Sequence, residues 1–587
     1  MKYSNYKVKG LSGLPNLFIR SAMVLMLLYA LLTFILIALT IFTPFTPTAA
    51  LVIGVVIAVF QFLLAPPIID KVLEGAYSMS WVRHEDLPVF LRDFITRTCS
   101  NIRMKNPRIG IIRDGAPNAF TYGHTPNNAR IVLTRGIMDL LNEDEVKGVV
   151  AHEIAHARHW DMLIMTAAQL VPLVLYYIYR MLERASATLG GNGDSSSQEQ
   201  NSLGASLGTI ALVSFILYIV SEYMVLWLSR AREYFADRFA GWLTRDPESL
   251  ASGLVKIGYG LAGKEAEHKS RLQKMKEQSE KDRKKYEERD RRLEAVGALG
   301  IFDTKSAAAL AVSSLPSVSA AAKMGTEIDK ENLKAAMRWE LWNPWAKYYE
   351  LASTHPLVAS RIHHLGRLSE MLGREPFIRF DEKKPESYWK EFLVDMFIKL
   401  LPLLVFIGFL AAAVVTRERL LLAAGISATG FASFLKARFS YRFGRFPERS
   451  VSDLLAEVKV SGIRPVPCRV KGTIIGRGIP GLVWSEDFVL QDDTGIIFLD
   501  YKQPLPLWDT LFGMFKRARY DNQEAEVTGW YRRSPVPRIE IEGIKVPGEK
   551  ERKCYTYAAR YVLAGIIAVA GLVFGCYMIV TGYNPLF

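Results

Sequence analysis

The chain has few cysteines, and their spacing gives no indication of a disulfide framework or a cysteine zinc site. Among 587 residues the cysteines are Cys99, Cys468, Cys554 and Cys576. None belongs to a C-x-x-C pair, so a reducing compartment fits the chain. We also expect no cleavable signal peptide, because the first apolar run is too long for one and a second run follows it.

Charge is absent from several runs that are long enough to cross a bilayer. Half of the residues are hydrophobic, which is high for a soluble enzyme. The uncharged or nearly uncharged runs predict about seven spans, at residues 21–42, 50–64, 162–182, 207–228, 396–415, 420–435 and 559–581.

The excess of basic residues predicts how these spans are oriented. Lys and Arg number 73 against 59 acids, a net charge of +14. On a membrane protein such an excess marks the cytosolic side, which is a better explanation here than nucleic-acid binding. The rule places the amino terminus and residues 70–160, 230–390 and 437–555 inside, and the carboxy terminus outside.

A histidine pair ahead of the third apolar run is typical of a metal site. His152 and His156 are four residues apart, so on a helix they share a face and can bind one metal ion. A helix is predicted because Asn142 can cap it and acids follow in its first turn, where the helix dipole favours negative charge. Glu153 lies beside the pair and can act as general base toward a water molecule.

A hydrolytic zinc site needs a third protein ligand and one open position. Glu233 can supply that ligand, because the intervening membrane hairpin returns the chain to the same side. Asp237, one helical turn further on, can bind the outer nitrogen of a zinc histidine. His159 is a rival ligand, although three ligands from one continuous helix fit a tetrahedral ion poorly. One Zn²⁺ per chain is therefore predicted.

Hydrolysis of a peptide bond also needs a donor to the developing oxyanion besides the metal. His355 and Arg361, in the segment S-T-H-P-L-V-A-S-R, are the candidates. Their sequence positions alone do not bring them to the zinc.

Four motifs make residues 15–365 resemble the HtpX family of membrane zinc metallopeptidases and, more distantly, the prenyl-protein (CAAX) endopeptidases. They are P-N-A-F at 117–120, H-E-I-A-H-A-R-H-W-D at 152–161, A-R-E-Y-F-A-D at 231–237 and S-T-H-P-L-V-A-S-R at 353–361. An apparent insertion at 264–338 interrupts the resemblance.

The resemblance implies zinc binding by His152, His156 and Glu233, with Glu153 as base and Asp237 supporting a ligand. It implies that His355 and Arg361 contact the reacting carbonyl, although Leu357 stands where the familiar motif has a second proline. It further implies an edge strand on which substrate lies by β-addition, formed by Asn118, Ala119, Phe120, Thr121 and Tyr122.

The carboxy-terminal part extends beyond this resemblance and reads as a β domain. Short strand-like runs occur at 470–475, 488–490, 496–501, 525–531 and 538–544, with a D-D-T-G hairpin signal at 492–495. Five such strands resemble an OB-fold barrel. OB-folds can bind nucleic acid, and Arg517, Arg519, Trp530, Arg532 and Arg533 are compatible with that, but a barrel flanked by spans favours a structural or protein-binding role.

Together these features predict an α-helical integral membrane protein with a mixed α/β zincin-type protease domain and a C-terminal OB-like β-barrel. The expected parts are a membrane hairpin at 1–69, the protease at 70–390 with its hairpin at 162–228 and charged insertion at 264–338, a second hairpin at 391–437, the β domain at 438–555 and a last span at 556–587.

The predicted activity is hydrolysis of membrane or misfolded proteins at the cytosolic face of a prokaryotic plasma membrane. The expected partners are protein or peptide substrates, the lipid bilayer and a protein bound by the β domain. Two alternatives remain: a processing peptidase of the CAAX type, and a non-catalytic membrane adaptor that acts through the β domain.

Overall fold

The fold was analysed in a computed structural model. It describes residues 17–42, 56, 63, 66–75, 79–112, 118–190, 198–257, 330–380, 383–442, 444–477, 488–504, 520, 523–534 and 537–581. The chain divides into two compact units. The first comprises Met1–Ile257, Ala295–Asp303 and Glu350–Arg379, and the second comprises Gly258–Glu294, Thr304–Tyr349 and Phe380–Phe587.

The α-helices are numbered in chain order. They are α1 Leu17–Phe42, α2 Val89–Asn101, α3 Arg135–Leu140, α4 Glu143–Arg158, α5 Asp161–Gly190, α6 Gln198–Thr244, α7 Lys330–Trp342, α8 Pro344–Glu350, α9 Val358–Met371, α10 Trp389–Thr416, α11 Leu420–Ser440, α12 Val451–Ala456 and α13 Thr556–Thr581. Residues 66–75 and 247–257 are also helical.

The β-strands fall into two sheets. They are β1 Met79–Val82, β2 Arg108–Ile112, β3 Ala119–Gly123, β4 Ala129–Thr134, β5 Val466–Arg477, β6 Phe488–Gln491, β7 Ile496–Asp500, β8 Glu524–Arg533, β9 Pro537–Lys545 and β10 Arg552–Lys553. The five predicted barrel runs are confirmed as β5 to β9, and the run at 118–122 is a strand, β3. Neither β1 nor β10 was predicted, because four and two residues are too few to show a pattern.

Six helices in the described part of the chain are long and apolar enough to cross a membrane: α1, α5, α6, α10, α11 and α13. The run at 50–64, predicted as the return leg of the first hairpin, lies largely outside the described residues, as does the charged insertion. The predicted total of seven spans therefore stays a prediction.

In the first unit, α1, α5 and α6 share an apolar core. Leu28, Ile35, Val171, Leu175 and Leu228 are fully buried in it. Many other apolar side chains of these helices stay exposed, such as Phe18 and Tyr177. That pattern suits helices with one side packed on protein and the rest facing lipid.

The sheet of the first unit has the strand order β1-β2-β4-β3, with β2 and β4 parallel and the other pairs antiparallel. Among the described strands β3 pairs only with β4, so it forms an edge. Phe120 and Tyr122 lie on one face of β3, in an apolar cluster with Leu73 of the helical stretch 66–75. Since successive strand residues point to opposite faces, Thr121 lies on the other face of β3.

Two helix boundaries differ from the expectation. The apolar run at 162–182 reads in the sequence as a continuation of the metal helix, which is wrong: α4 ends at Arg158 and α5 begins at Asp161. Trp160 between them has a left-handed backbone, with φ of 59°, which no helix continues through. Conversely, the predicted span at 207–228 and the helix after it form one helix, α6, of 47 residues, because nothing at 228–232 breaks a helix.

In the second unit, α11 packs against α10 and α13, and five strands form a β-barrel. A Cβ at Gly430 would lie 2.3 Å from the backbone of Ala568, and one at Gly571 would lie 2.3 Å from that of Ser427, so α11 and α13 touch through glycine. The five strands β9-β7-β6-β5-β8 follow one another and close through β8–β9 pairing. This closure removes the open edges of the sheet.

Candidate metal centre

Helix α4 presents two histidine rings toward one point. Asn142 and Glu145 form a capping box, in which each side chain binds the other's backbone N–H, and this fixes the start of the helix as predicted. His152 and His156 are four positions apart on this helix, and their Nε2 atoms lie 3.0 Å from each other. His152 is fully buried and His156 is partly exposed.

Glu233 of α6 completes a three-residue group. Its Oε2 lies 3.5 Å from His152 Nε2, and its Oε1 lies 3.4 Å from His156 Nε2. All three groups offer a ligand atom within 4.8 Å of the others. Ligands about 2.1 Å from a tetrahedral zinc are about 3.4 Å apart, so these separations suit such an ion.

The outer nitrogens of the two histidines support the same conclusion. His152 Nδ1 lies 2.9 Å from Asp237 Oδ1, and His156 Nδ1 lies 2.7 Å from Asp161 Oδ2. A carboxylate at Nδ1 favours the proton there, which leaves the lone pair on Nε2. Two Nε2 lone pairs and a carboxylate then converge, and a cation bound between them would stabilise that arrangement.

The electrostatics of the pocket also favour a positive charge. Burial alone would lower the pKa of His152, but hydrogen bonding and charge from Asp237 and Glu233 raise it to about 9. In the metal-free protein that charge is a proton, which a metal ion must displace. The donor set thus fits a divalent metal.

Arg361 lies deep in this arrangement. It is 1% exposed and binds Asp237 with two hydrogen bonds, of 2.8 Å from Nε and 2.6 Å from NH2. Its NH1 is also 3.5 Å from Glu233 Oε2. Burial opposes the charged form of Arg361, yet these two carboxylates raise its pKa.

His355 is brought to the metal group by a buried arginine that the sequence did not single out. The Nδ1 atom of His355 lies 3.1 Å from Glu233 Oε2, and the His355 side chain is 12% exposed. Arg230, one turn before Glu233 on α6, donates to the carbonyls of Glu350, Leu351 and Ser353. Arg230 therefore fixes the segment that leads into His355.

Glu153 faces the predicted substrate strand. It is 2% exposed, and its Oε2 accepts a 2.7 Å hydrogen bond from the hydroxyl of Thr121. Ala119, Phe120, Thr121 and Tyr122 lie on β3, and Asn118 precedes it. Asn118 is itself held by Thr134, whose N–H donates to its carbonyl and whose hydroxyl accepts from its N–H.

Asp161 has a larger part in the site than its sequence suggested. Its position in the sequence predicts only the end of the helix or a local pair, but it binds both His156 and Arg232. Arg232 also donates to the His159 carbonyl and to Ser21 of α1. The sequence signal for this role is the acid that ends A-R-H-W-D at 157–161, five positions after His156.

His159, the rival ligand, lies outside the three-residue group. Its ring packs edge-on against Phe239, with ring centroids 5.5 Å apart. Burial lowers the pKa of His159 to about 4, so it is neutral in this environment.

Known proteins share the segment that carries this site. A model of peptidase family M48 matches residues 90–369. The protease HtpX homolog of Methanothermobacter thermautotrophicus is 32% identical over 205 residues, which cover 35% of this chain and 71% of that protein. The protease HtpX homolog of Aquifex aeolicus is 30% identical over 210 residues, covering 36% and 68%.

A crystal structure of S. mikatae Ste24p is a weaker match. It has 20% sequence identity and a TM-score of 0.28, and the match covers 41% of this chain and 58% of that one. That likeness is too low to define a shared fold. The sequence matches to HtpX proteases and the membrane-length helices carry the assignment: the chain belongs to the HtpX proteases of peptidase family M48, and it is a membrane-embedded metallopeptidase.

Proposed function

We propose that the chain is a zinc endopeptidase that cleaves membrane or misfolded proteins at the cytosolic face of a prokaryotic plasma membrane. The observation that carries this proposal is that His152 and His156 of α4 converge with Glu233 of α6. Glu153 lies beside the two histidines on α4. Two nitrogens and a carboxylate make a typical catalytic zinc site, with one position left for water or substrate.

The residues around this position divide the work of hydrolysis. Bound zinc would lower the pKa of a water molecule and polarise the scissile carbonyl. Glu153 accepts the proton from the attacking water and passes it to the leaving amine. His355, 3.1 Å from Glu233, is placed to donate to the oxyanion. The backbone of residues 118–122 would hold substrate as an added strand.

The contacts of Arg361 support a different task from the predicted one. Its guanidinium is buried and engaged with Asp237, so it holds the two acids in place rather than reaching a carbonyl. We infer that Asp237 orients His152 and that Asp161 does the same for His156.

The cytosolic orientation and the prokaryotic membrane rest on sequence. Basic residues are concentrated in the segments that carry the site and the β domain, which the positive-inside rule assigns to the cytosol. Relatives at 30% identity or more come from archaea and bacteria. Proteolytic quality control is the role that the HtpX resemblance implies.

We infer that the barrel is of the OB type and binds a protein partner. Five strands with one parallel pair, β7–β9, and closure between β8 and β9 support that assignment. A nucleic-acid role loses support because Trp530, Arg532 and Arg533 are buried. Arg532 pairs with Glu540, and Arg533 lies over the Trp339 ring.

Glu153→Gln tests the mechanism. In the detergent-purified full chain with zinc restored, we expect cleavage of dye-labelled casein to fall roughly 10²- to 10⁴-fold, the usual contribution of a general base. Zinc content measured by mass spectrometry should not change. Glu143→Gln, an exposed acid on the same helix, is the matched control and should keep its activity.

Two results of this assay would overturn the mechanism: cleavage that survives Glu153→Gln, and cleavage that persists after zinc is removed by a chelator. The choice of substrate separates the two peptidase alternatives. Cleavage of unfolded casein supports quality control, whereas cleavage confined to prenylated peptides would make the chain a CAAX-type processing enzyme.

A further inference from the structure

Thr121 belongs to the edge strand β3, and its side chain also contacts the proposed general base, Glu153. Its hydroxyl lies 2.7 Å from Glu153 Oε2 and 3.1 Å from the carbonyl oxygen of Glu153. The two residues are 32 positions apart in the chain, and Thr121 is the point at which β3 holds the Glu153 side chain.

The register of β3 shows where its backbone groups point. The N–H of Thr134 donates to the Asn118 carbonyl, so the backbone of Asn118 faces β4. Residues of an antiparallel pair alternate between facing the partner and facing away. Phe120 and Tyr122 therefore face β4 through their backbones, while Ala119, Thr121 and Gly123 turn their backbone N–H and C=O toward the open edge.

We propose that Thr121 is a positioning residue that couples substrate docking on β3 to the placement of Glu153. Its backbone N–H and C=O are available for pairing with a substrate strand, and its hydroxyl fixes the carboxylate that serves as base. This inference rests on the proposed peptidase function. A substrate that pairs with β3 would thereby be aligned with the base through one residue.

The hydroxyl suits both states that the base passes through. It donates to Oε2 while Glu153 is a carboxylate. When Glu153 carries the proton taken from water, the Thr121 hydroxyl can turn its own proton to the Glu153 carbonyl and accept from the carboxyl group. Both partners are within hydrogen-bond distance without any movement of the backbone.

Valine and serine at position 121 separate this role from simple packing. Thr121→Val keeps the branched shape and the strand propensity but removes the donor. We expect it to lower kcat roughly 10- to 100-fold, the effect of losing a hydrogen bond to a charged group, with KM within about twofold. Thr121→Ser keeps the donor and should restore kcat to within about threefold of the wild type.

The assay uses the full chain in detergent with zinc restored and dye-labelled casein as substrate. Zinc content is measured in each variant. If Thr121→Val keeps its zinc, its fall in kcat comes from the placement of Glu153 and not from damage to the metal site. Thr96→Val, an exposed threonine whose hydroxyl bonds only its own helix, is the matched control.

Three results would overturn the proposal: an unchanged kcat in Thr121→Val, an equal loss in Thr121→Ser, or loss of zinc from Thr121→Val. Failure of the proposed function would look different, since Glu153→Gln would then retain activity in the same assay. A Thr121→Val change added to Glu153→Gln should cause no further loss, because the two residues act as one unit.

Discussion

Buried charge occurs in both units of the protein, but the two clusters are built differently. In the barrel, Glu540 accepts from Tyr441 at 2.6 Å and from Arg532 at 2.7 Å. The remaining guanidinium nitrogens of Arg532 donate to the carbonyls of Gly462 and Ser440. Each charged group in that cluster therefore has its partners within the chain, and we call this set the closed cluster.

The cluster of the first unit, which we call the open cluster, presents a set of ligand atoms that suits a metal ion from outside the chain. Asp237 and Asp161 are bound by Arg361 and Arg232 on one side and hold a histidine on the other. The ligand atoms of His152, His156 and Glu233 converge within 4.8 Å of one another. Burial of charge alone therefore does not mark a site, whereas ligand atoms that are supported from behind and converge on one point do.

The largest effect on folding should come from breaking the closed cluster. Glu540→Gln leaves the Arg532 charge buried without a counter-ion, so we expect a loss of about 3 kcal/mol in the stability of the barrel. Hydrogen exchange of the most protected backbone amides of β8 and β9 measures this loss of stability. Zinc content should stay unchanged, and its loss would contradict the separation of the two clusters.

The same variant has a pH dependence whose sign follows from the cluster. Burial alone would raise the pKa of Glu540, but the charge of Arg532 and the hydroxyl of Tyr441 lower it below the ordinary value of 4.5. A carboxylate with a lowered pKa stabilises the fold above its unfolded pKa and loses that effect as the pH falls through the folded one. The difference between wild type and Glu540→Gln should therefore shrink below about pH 4.5.

An intermediate effect is expected from the supports of the open cluster. Asp237→Asn and Asp161→Asn should each weaken zinc binding about 10- to 100-fold, because the asparagine no longer fixes the histidine tautomer. Competition with a chromophoric chelator measures the affinity. Asp246→Asn, whose partner is the half-exposed Arg374, is the control that should keep full affinity. Equal affinities in all three variants would remove the distinction between open and closed clusters.

The smallest effect is expected at an exposed ion pair of the barrel. Lys471 lies 3.0 Å from Glu448, and both side chains are more than half exposed. Lys471→Gln should change the stability of the barrel by no more than about 1 kcal/mol, since water screens such pairs. A loss as large as that in Glu540→Gln would show that burial does not control these energies.

The sequence was sufficient for the elements with strong local signals. The helix start at Asn142 and the five barrel strands follow from spacing and propensity. His152, His156 and Glu233 meet as expected because α4 presents both histidines on one face and α6 brings Glu233 to that face.

Other features depend on contacts between distant segments, which a single sequence does not reveal. Arg230 and Arg232 are two of many arginines, and only the folded helix α6 turns them toward different partners, the segment before His355 and the carboxylate of Asp161. The hydroxyl of Thr121 meets Glu153 because of strand register, a property of the whole sheet. The break at Trp160 carries no proline or glycine to announce it.

That break separates the metal helix α4 from the membrane-length helix α5, yet a hydrogen bond joins the two helices. His156 belongs to α4, while Asp161, which holds its outer nitrogen, is the first residue of α5. A membrane helix adjusts its tilt to the thickness of the surrounding lipid. The carboxylate that orients one metal-facing ring thus belongs to a helix of membrane-spanning length, so a change in the tilt of α5 would move that carboxylate relative to His156.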